Sequence, residues 1–288
     1  MVNVNGRISD EHEAVISVFD HGFLYGEGIY ETLRTYNGRL FLFDRHLRRL
    51  RNSARLIQLA IPFTDDELAR NISDTIARTK LDGNEAYVRV LLTRGVGELT
   101  YALGATPNPS WVIIVKTLVA LSAEIYERGC KVALVDVVRN HPGSVNPMIK
   151  SNNLMNQALA AQQAFERGAF DGVMRNYRGE LTEFATSNLF IVRNGTVLTP
   201  PLESGLLPGI TREFVFEIGR NVGIEVREQV LRDNDLFDAD EAFLTSTTRE
   251  VVPIVAVNEQ TIGSGKPGVV TCTLLKNFRE IARGADWK

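Results

Sequence analysis

The 288-residue sequence holds only two cysteines, Cys130 and Cys272, too few for the disulfide framework of a small secreted fold. Its four histidines are scattered, and neither His-x-x-x-His nor Cys-x-x-Cys spacing occurs, so no metal site is expected. No apolar run approaches the ~20 residues that span a bilayer. The opening, Met1 to Glu13, lacks the apolar core of a signal peptide. Basic excess is missing too. With 32 Lys and Arg against 35 Asp and Glu, the net charge of −3 excludes a general binder of nucleic acid or anionic membranes. A hydrophobic fraction of 44% excludes disorder. What these absences leave is a soluble globular protein, expected in the cytoplasm, with apolar material for one large or two ordinary domains.

Strands and helices alternate without a regular β-α-β rhythm, which predicts an α+β fold. Asn37-Gly38, between Glu31–Tyr36 and Arg39–Phe43, suits the left-handed residues of a tight hairpin. From Asp44 on, Leu47, Leu50, Ala54 and Ile57 form one helical stripe, and Thr64-x-x-Glu67 is a capping box opening a helix through about Arg78. Ala86–Thr93 and Trp111–Thr117 read as strands flanking the loop Gly95–Pro109. The linker falls at 118–122, giving a small N-terminal domain, 1–117, and a larger C-terminal domain, 123–288. In the latter the pattern predicts a strand at Lys131–Val138, a helix from Asn152 to Arg167 and a strand at Gly172–Arg175. A hairpin through Arg193-Asn194-Gly195, a helix after Pro208-Gly209 and the strand Ile224–Val230 follow. An acidic helix at Asp233–Asp240, the strand Phe243–Ser246 and a helix from Val269 complete the pattern.

Chemistry concentrates in a few places. Seven lysines stand against 25 arginines, and most read as solvated surface charge. Lys150 differs, because it ends the extended segment Asn146-Pro147-Met148-Ile149 at an expected helix start. It reads either as an ordinary helix-start lysine or as a partly desolvated nucleophile for a carbonyl. Leu206-Leu207-Pro208-Gly209-Ile210-Thr211-Arg212 opens a helix with free N–H groups, which is either a plain turn or a phosphate seat. Thr245-Ser246-Thr247-Thr248 places four hydroxyls after a strand, as a helix cap or a second phosphate contact. Glu183 stands at the mouth of an apolar strand, where it is either solvated or paired with a cationic ring nitrogen. Gly95-Val-Gly97 lacks the third glycine of a dinucleotide fingerprint.

Together the stretches Tyr25–Arg34, His46–Leu50, Ile149-Lys150-Ser151, Glu180–Phe190, Leu207–Arg212 and Thr245–Val252 resemble, in order and spacing, the class IV, fold-type IV, pyridoxal-phosphate enzymes. That family includes branched-chain aminotransferases, D-amino acid aminotransferases and aminodeoxychorismate lyases; the branched-chain members are the nearest match. The resemblance implies a small N-terminal α/β-sandwich domain, a larger C-terminal mixed-sheet, barrel-like domain, pyridoxal 5'-phosphate held between them, and a homodimer or higher homo-oligomer. It implies that Lys150 bonds to the cofactor and shuttles a proton, and that Glu183 faces the pyridine nitrogen. Arg49, the N–H groups of Ile210 and Thr211, the Thr211 hydroxyl and Thr247 would hold the phosphate, with His46 ordering the helix near Arg49.

For the substrate side, Tyr87-Val88-Arg89 matches the Tyr-x-Arg pair of branched-chain aminotransferases, with both side chains on one strand face. Tyr25 and Tyr30 match pocket-lining aromatics, Thr248 lies beside the phosphate threonine, and Arg34 is the candidate for a second carboxylate. The reaction implied is ping-pong transfer of the amino group of an aliphatic L-amino acid to 2-oxoglutarate. Four features point elsewhere: Thr32 where branched-chain enzymes have Gly, Leu154-Met155 where they have Asn-Tyr, Lys150-x-x-Asn153, and the Thr245–Thr248 hydroxyl run, although the loop Gly95–Pro109 lacks the Arg and His of the D-amino acid enzymes. These keep a D-amino acid or (R)-amine transaminase and aminodeoxychorismate lyase as alternatives. A non-enzymatic binding protein is disfavoured by the retained Lys150, Glu183 and Arg49.

Overall fold

The computed structural model describes residues 1–284. The chain divides into two units: Met1–Val119 with Ile149–Asn153, and Ala120–Met148 with the chain from Leu154 on. A single division of the sequence at 118–122 does not anticipate that the segment around Lys150 returns to the first unit.

The first unit is an antiparallel sheet of β1 (Val2–Val4), β2 (Arg7–Ser9), β3 (Gly28–Tyr36), β4 (Arg39–Leu40), β5 (Ala86–Thr93) and β6 (Ser110–Thr117), in the order β2-β1-β6-β5-β3-β4. Its helices are α1 (His21–Leu24), α2 (Phe43–Leu56) and α3 (Asp65–Ala77). The β3–β4 turn takes φ 51° at Asn37 and 73° at Gly38, the left-handed pair a two-residue hairpin requires. The strand expected through Phe43 stops at Leu40, because Leu42 turns left-handed and starts α2. The Thr64–Glu67 capping box is complete in both directions and opens α3. Along β5, Ala86, Val88, Val90 and Leu92 are buried while Tyr87, Arg89 and Leu91 are half-buried. The buried set joins Ile29, Leu33, Ile113 and Val115 in one core with Leu47, Leu50 and Ala54 of α2 and Leu68 and Ile72 of α3. Helices therefore cover one face of this sheet.

The second unit contains α4 (Ala123–Arg128), β7 (Cys130–Val138), α5 (Met155–Glu166), β8 (Gly172–Arg175), β9 (Leu181–Phe184), β10 (Asn188–Arg193), β11 (Thr196–Thr199), α6 (Ile210–Val222) and β12 (Val226–Glu228). It continues with α7 (Asp233–Phe237), β13 (Glu241–Ser246), β14 (Glu250–Val257), β15 (Gln260–Thr261) and α8 (Val269–Arg283). Strands β10-β13-β14-β7-β8-β9 form a six-stranded barrel, closed where Glu183 of β9 pairs with Asn188 of β10. Pairs β14–β7 and β7–β8 are parallel and the others antiparallel, so the barrel is mixed. Val132, Leu134, Val173, Leu189, Leu244 and Val252 are among the residues filling its core.

Three expectations change here. Lys150 is not at a helix start, since α5 begins only at Met155 and Ser151 forms a β-bridge with Ile29. The hydroxyl run does not cap a helix; it rounds a hairpin into β14, a strand that Pro253 disguises in the sequence. Strand β12 and helix α7 are also shorter than the pattern predicts.

Candidate active site

In the first unit the register puts Tyr30 opposite Leu91, Thr32 opposite Arg89 and Arg34 opposite Tyr87. Directly paired residues of antiparallel strands point to the same face. Tyr30, Thr32, Arg34, Tyr87 and Arg89 therefore share the face that the helices leave open. The Arg89 guanidinium lies 4.1 Å from the centre of the Tyr30 ring, and Lys150 Nζ lies 4.4 Å from the same centre. Backbone bonds fix Lys150 there: its carbonyl accepts from the Tyr30 amide at 2.9 Å, and its own amide donates to Ser53 Oγ at 3.2 Å. Among the described residues neither Arg89 nor Lys150 forms an ion pair. A cationic pair thus flanks one aromatic ring, at positions an anionic ligand could neutralise. Nearby in sequence, Tyr25 packs its ring 4.9 Å from His21 and 5.0 Å from Tyr101 of the Gly95–Pro109 loop. Arg34 is buried, with its guanidinium 4.0 Å over Tyr36.

The opposite, helix-covered face carries Glu31. Its carboxylate accepts from Arg49 Nε at 2.7 Å and Nη2 at 2.8 Å, and sits 2.7 Å from His46 Nδ1. All three residues are buried. Burial pushes the Glu31 carboxyl up, but the charge and hydrogen bonds of Arg49 outweigh it and hold the group well below the usual carboxylate range. Burial keeps His46 below its ordinary value, so the ring is neutral at pH 7. Glu31, which the sequence reading did not single out, therefore orients the arginine expected at the phosphate. The sequence showed an acid between Ile29 and Leu33 on the core-facing parity of β3, where it needs a cation, but nothing in it named the partner.

In the second unit, buried Glu183 accepts from Arg139 Nε at 2.8 Å, from the Leu207 amide at 3.2 Å and from Asn188 Nδ2 at 3.3 Å. Arg139 in turn donates to Asn156 Oδ1 at 3.2 Å. Glu183 is thus an oriented carboxylate at the barrel seam and not a solvated one. Just beyond it, α6 starts at Ile210 with no side-chain cap, so its first N–H groups and the buried Thr211 offer hydrogen-bond donors at the partially positive helix end. A Cβ at Gly209 would stand 1.9 Å from Asn188 Oδ1, so a larger residue there would have to displace the Asn188 side chain that bonds Glu183. Thr247 and Thr248 are half-buried in the β13–β14 turn. Two buried hydroxyls, Ser187 Oγ and Thr245 Oγ1, have no hydrogen-bond partner among the described residues. Arg139 and Asn156 carried no motif and were invisible in the sequence, and Asn188 lay inside the stretch Glu180–Phe190 without being singled out.

A buried carboxylate beside an uncapped helix end is the donor set an anionic, nitrogen-bearing aromatic cofactor would use. The family profile described as amino-transferase class IV matches residues 28–257. The chain belongs to the class IV aminotransferases. It is a pyridoxal-phosphate-dependent enzyme of fold type IV. Among its relatives, a Methanocaldococcus jannaschii protein provisionally named a branched-chain-amino-acid aminotransferase is 35% identical, over 97% of this chain and 96% of its own. A Bacillus licheniformis D-alanine aminotransferase is 31% identical over 93% of this chain and 92% of its own. A Bacillus subtilis aminodeoxychorismate lyase is 29% identical over 100% of this chain and 99% of its own. Among solved structures, the Escherichia coli branched-chain aminotransferase aligns with a TM-score of 0.92 at 30% identity, covering 97% of this chain and 93% of that one. A Thermobaculum terrenum branched-chain aminotransferase in its pyridoxal-phosphate form aligns at 0.87 and 29% identity, covering 99% and 94%. No helix among the described residues of this aminotransferase is long and apolar enough to cross a membrane.

Proposed function

We propose that this class IV aminotransferase moves the amino group of an aliphatic, branched-chain L-amino acid to 2-oxoglutarate in two half-reactions. The observation that carries this reading is the placement of Tyr87 and Arg89 on the open sheet face, beside Tyr30 and Lys150, with no carboxylate of the described protein opposing Arg89. A half-buried arginine without an anion is a seat for the substrate carboxylate, and a Tyr hydroxyl two residues away on the same face can donate a second bond. The 35% identical relative and the aligned solved structures support the same substrate class.

The residues fit pyridoxal phosphate. The α6 N-terminus with Ile210 and Thr211, the Thr247 hydroxyl and Arg49 would hold its phosphate, and Glu183 would face its ring nitrogen. When bound, the cofactor supplies an electron-accepting ring that stabilises charge developing at the substrate Cα. Glu183, kept in place by Arg139, Asn188 and the Leu207 amide, presents a negative charge that keeps a facing nitrogen protonated. Lys150, on its own backbone anchors beside Tyr30, holds the amine that takes a proton from the substrate Cα and returns it to the product. Tyr25 and Tyr30 wall the pocket for the aliphatic side chain. Arg34 is the cation assigned to the second carboxylate of the acceptor, and Thr248 the turn residue on the substrate side. The enzyme is proposed to act as a cytoplasmic homodimer.

Thr32 favours a second reading. It lies directly opposite Arg89, where the lyase resemblance puts a threonine linked to elimination. One panel separates the two: L-leucine, L-valine, D-alanine, (R)-1-phenylethylamine and aminodeoxychorismate, each mixed with holoenzyme and followed by cofactor absorbance. L-leucine or L-valine should react fastest. Fast D-alanine with inert L-leucine overturns the stereochemistry, and pyruvate from aminodeoxychorismate without an acceptor makes the protein a lyase.

A further inference from the structure

The β13–β14 turn, Thr247-Thr248-Arg249, is held by more charged contacts than a three-residue hairpin needs. Asp171, just before β8 and 3% exposed in its side chain, accepts from Arg249 Nη1 on Oδ2 at 2.9 Å. The same oxygen accepts from Thr186 Oγ1 at 3.1 Å, and Thr186 belongs to the β9–β10 turn. The other oxygen, Oδ1, accepts from the Gly172 amide at 2.8 Å. One buried carboxylate therefore clasps two hairpin turns at this end of the barrel. Phe170 lies under the Arg249 guanidinium at 4.8 Å. From the other side, the Tyr126 hydroxyl donates to the Arg249 carbonyl at 3.0 Å. Glu250, the residue closing the turn, takes φ 62° and is tied to Arg279 Nε at 2.6 Å. A non-glycine residue in that region is strained and persists only where its surroundings over-determine it.

We propose that Asp171 is a positioning residue which, through Arg249 and Thr186, fixes the β13–β14 turn so that Thr247 and Thr248 meet the cofactor phosphate and the substrate. The proposal rests on the reading that this turn holds both ligands. A free turn would have to be ordered at each binding event, at the expense of affinity. A clasped turn is ordered beforehand. The clasp acts on binding rather than on proton transfer, so its loss should appear in cofactor Kd and donor KM more than in kcat.

The test compares holoenzymes carrying Asp171→Asn, Arg249→Met, both together, and Thr247→Ala. Cofactor Kd is titrated by the visible circular dichroism of bound pyridoxal phosphate, donor KM and kcat come from steady state, and folding is checked by thermal melting. Asp171→Asn and Arg249→Met should each raise Kd and KM about 10- to 150-fold, as loss of one charged hydrogen bond implies. The double variant should be no worse than the worse single one, because the pair acts as a unit. Arg249 is partly exposed, so its variant keeps the proposal testable if Asp171→Asn does not fold. If Thr247→Ala weakens cofactor binding while folded Arg249→Met leaves Kd and KM at wild-type values, the clasp proposal fails alone. If Thr247→Ala also leaves both unchanged, the turn holds neither ligand and the proposal falls with that reading.

Discussion

On the helix-covered face of the first sheet, Arg49 meets Glu31 through two hydrogen bonds and is closed off from water. On the open face, opposite the very next residue of β3, Arg89 has the Tyr30 ring beneath it and no carboxylate among the described residues. Arginine is thus used twice about one sheet, from α2 on one face and from β5 on the other. One guanidinium is neutralised by the protein, and the other is left for an anion the protein does not supply. The first is expected to carry stability besides its proposed place at the cofactor phosphate, and the second substrate recognition, so substitutions on the two faces should fail in different ways.

The largest effect belongs to the open face. Lys150→Ala removes the proton carrier, and turnover should fall ~10³- to 10⁴-fold, within the range proton transfer contributes. Its melting temperature should stay near wild type, because Lys150 is anchored by its backbone and Nζ makes no ion pair among the described residues. Wild-type turnover in this variant would remove Lys150 from the mechanism. On the covered face the expectation inverts. Arg49→Ala leaves the Glu31 charge buried without its main partner, which should cost ~3–5 kcal/mol of stability in cofactor-free protein by denaturant titration. A loss below 1 kcal/mol would show that the pair is not structural. In the second unit, Glu183→Gln keeps the shape and removes the charge, and should slow Cα deprotonation ~100-fold in single-turnover half-reactions, as loss of one oriented electrostatic contact does.

How far these differences could be read in advance depends on the residue. The capping box at Thr64 and the Asn37-Gly38 hairpin were legible because their signals are local, a few residues long and specified by backbone geometry. The open face was legible in part, since Tyr87 and Arg89 are two apart on one strand. Glu31 was not, because its partners lie 15 and 18 residues on and only the packing of α2 on β3 joins them. Arg139 of the Glu183 pair lies 44 residues before its partner, and only the side-by-side pairing of β7, β8 and β9 brings them together. The return of Ile149–Asn153 to the first unit is likewise a tertiary fact, with no breaker or cap to mark it. Motifs located the chemistry; the ion pairs that orient it needed the fold.

Arg89→Ala gives the sharpest contrast with Arg49→Ala. It should lose ~1.5–3 kcal/mol of transition-state binding for L-leucine, the worth of a charged hydrogen bond, measured as kcat/KM. Stability should change by less than ~0.5 kcal/mol, as for a substitution away from buried pairs. A large stability loss with unchanged kcat/KM would make Arg89 structural and Tyr87-Val88-Arg89 an ordinary strand.

The smallest effect separates the two members of the covered face by pH. The Glu31 carboxyl is depressed in the folded protein, so the unfolded chain binds more protons once pH falls below its ordinary value of ~4.3. The stability it contributes is complete above that pH and drains away below it. His46 is also depressed, by burial, so the unfolded chain gains its proton first, near pH 6.5, and that loss starts earlier. Wild-type stability should therefore decline in two stages, from ~6.5 and again from ~4.3, each group adding at most ~1.4 kcal/mol per pH unit. Glu31→Gln should start from a lower plateau at pH 7 and lose the Glu31 share of the acid limb. Because other carboxylates titrate in the same range, the comparison is the difference in slope between wild type and variant, from denaturant titrations at pH 3 to 7. Equal slopes below pH 4.3 would mean that Arg49 does not hold Glu31 ionised, and the covered face would owe its stability to apolar packing alone.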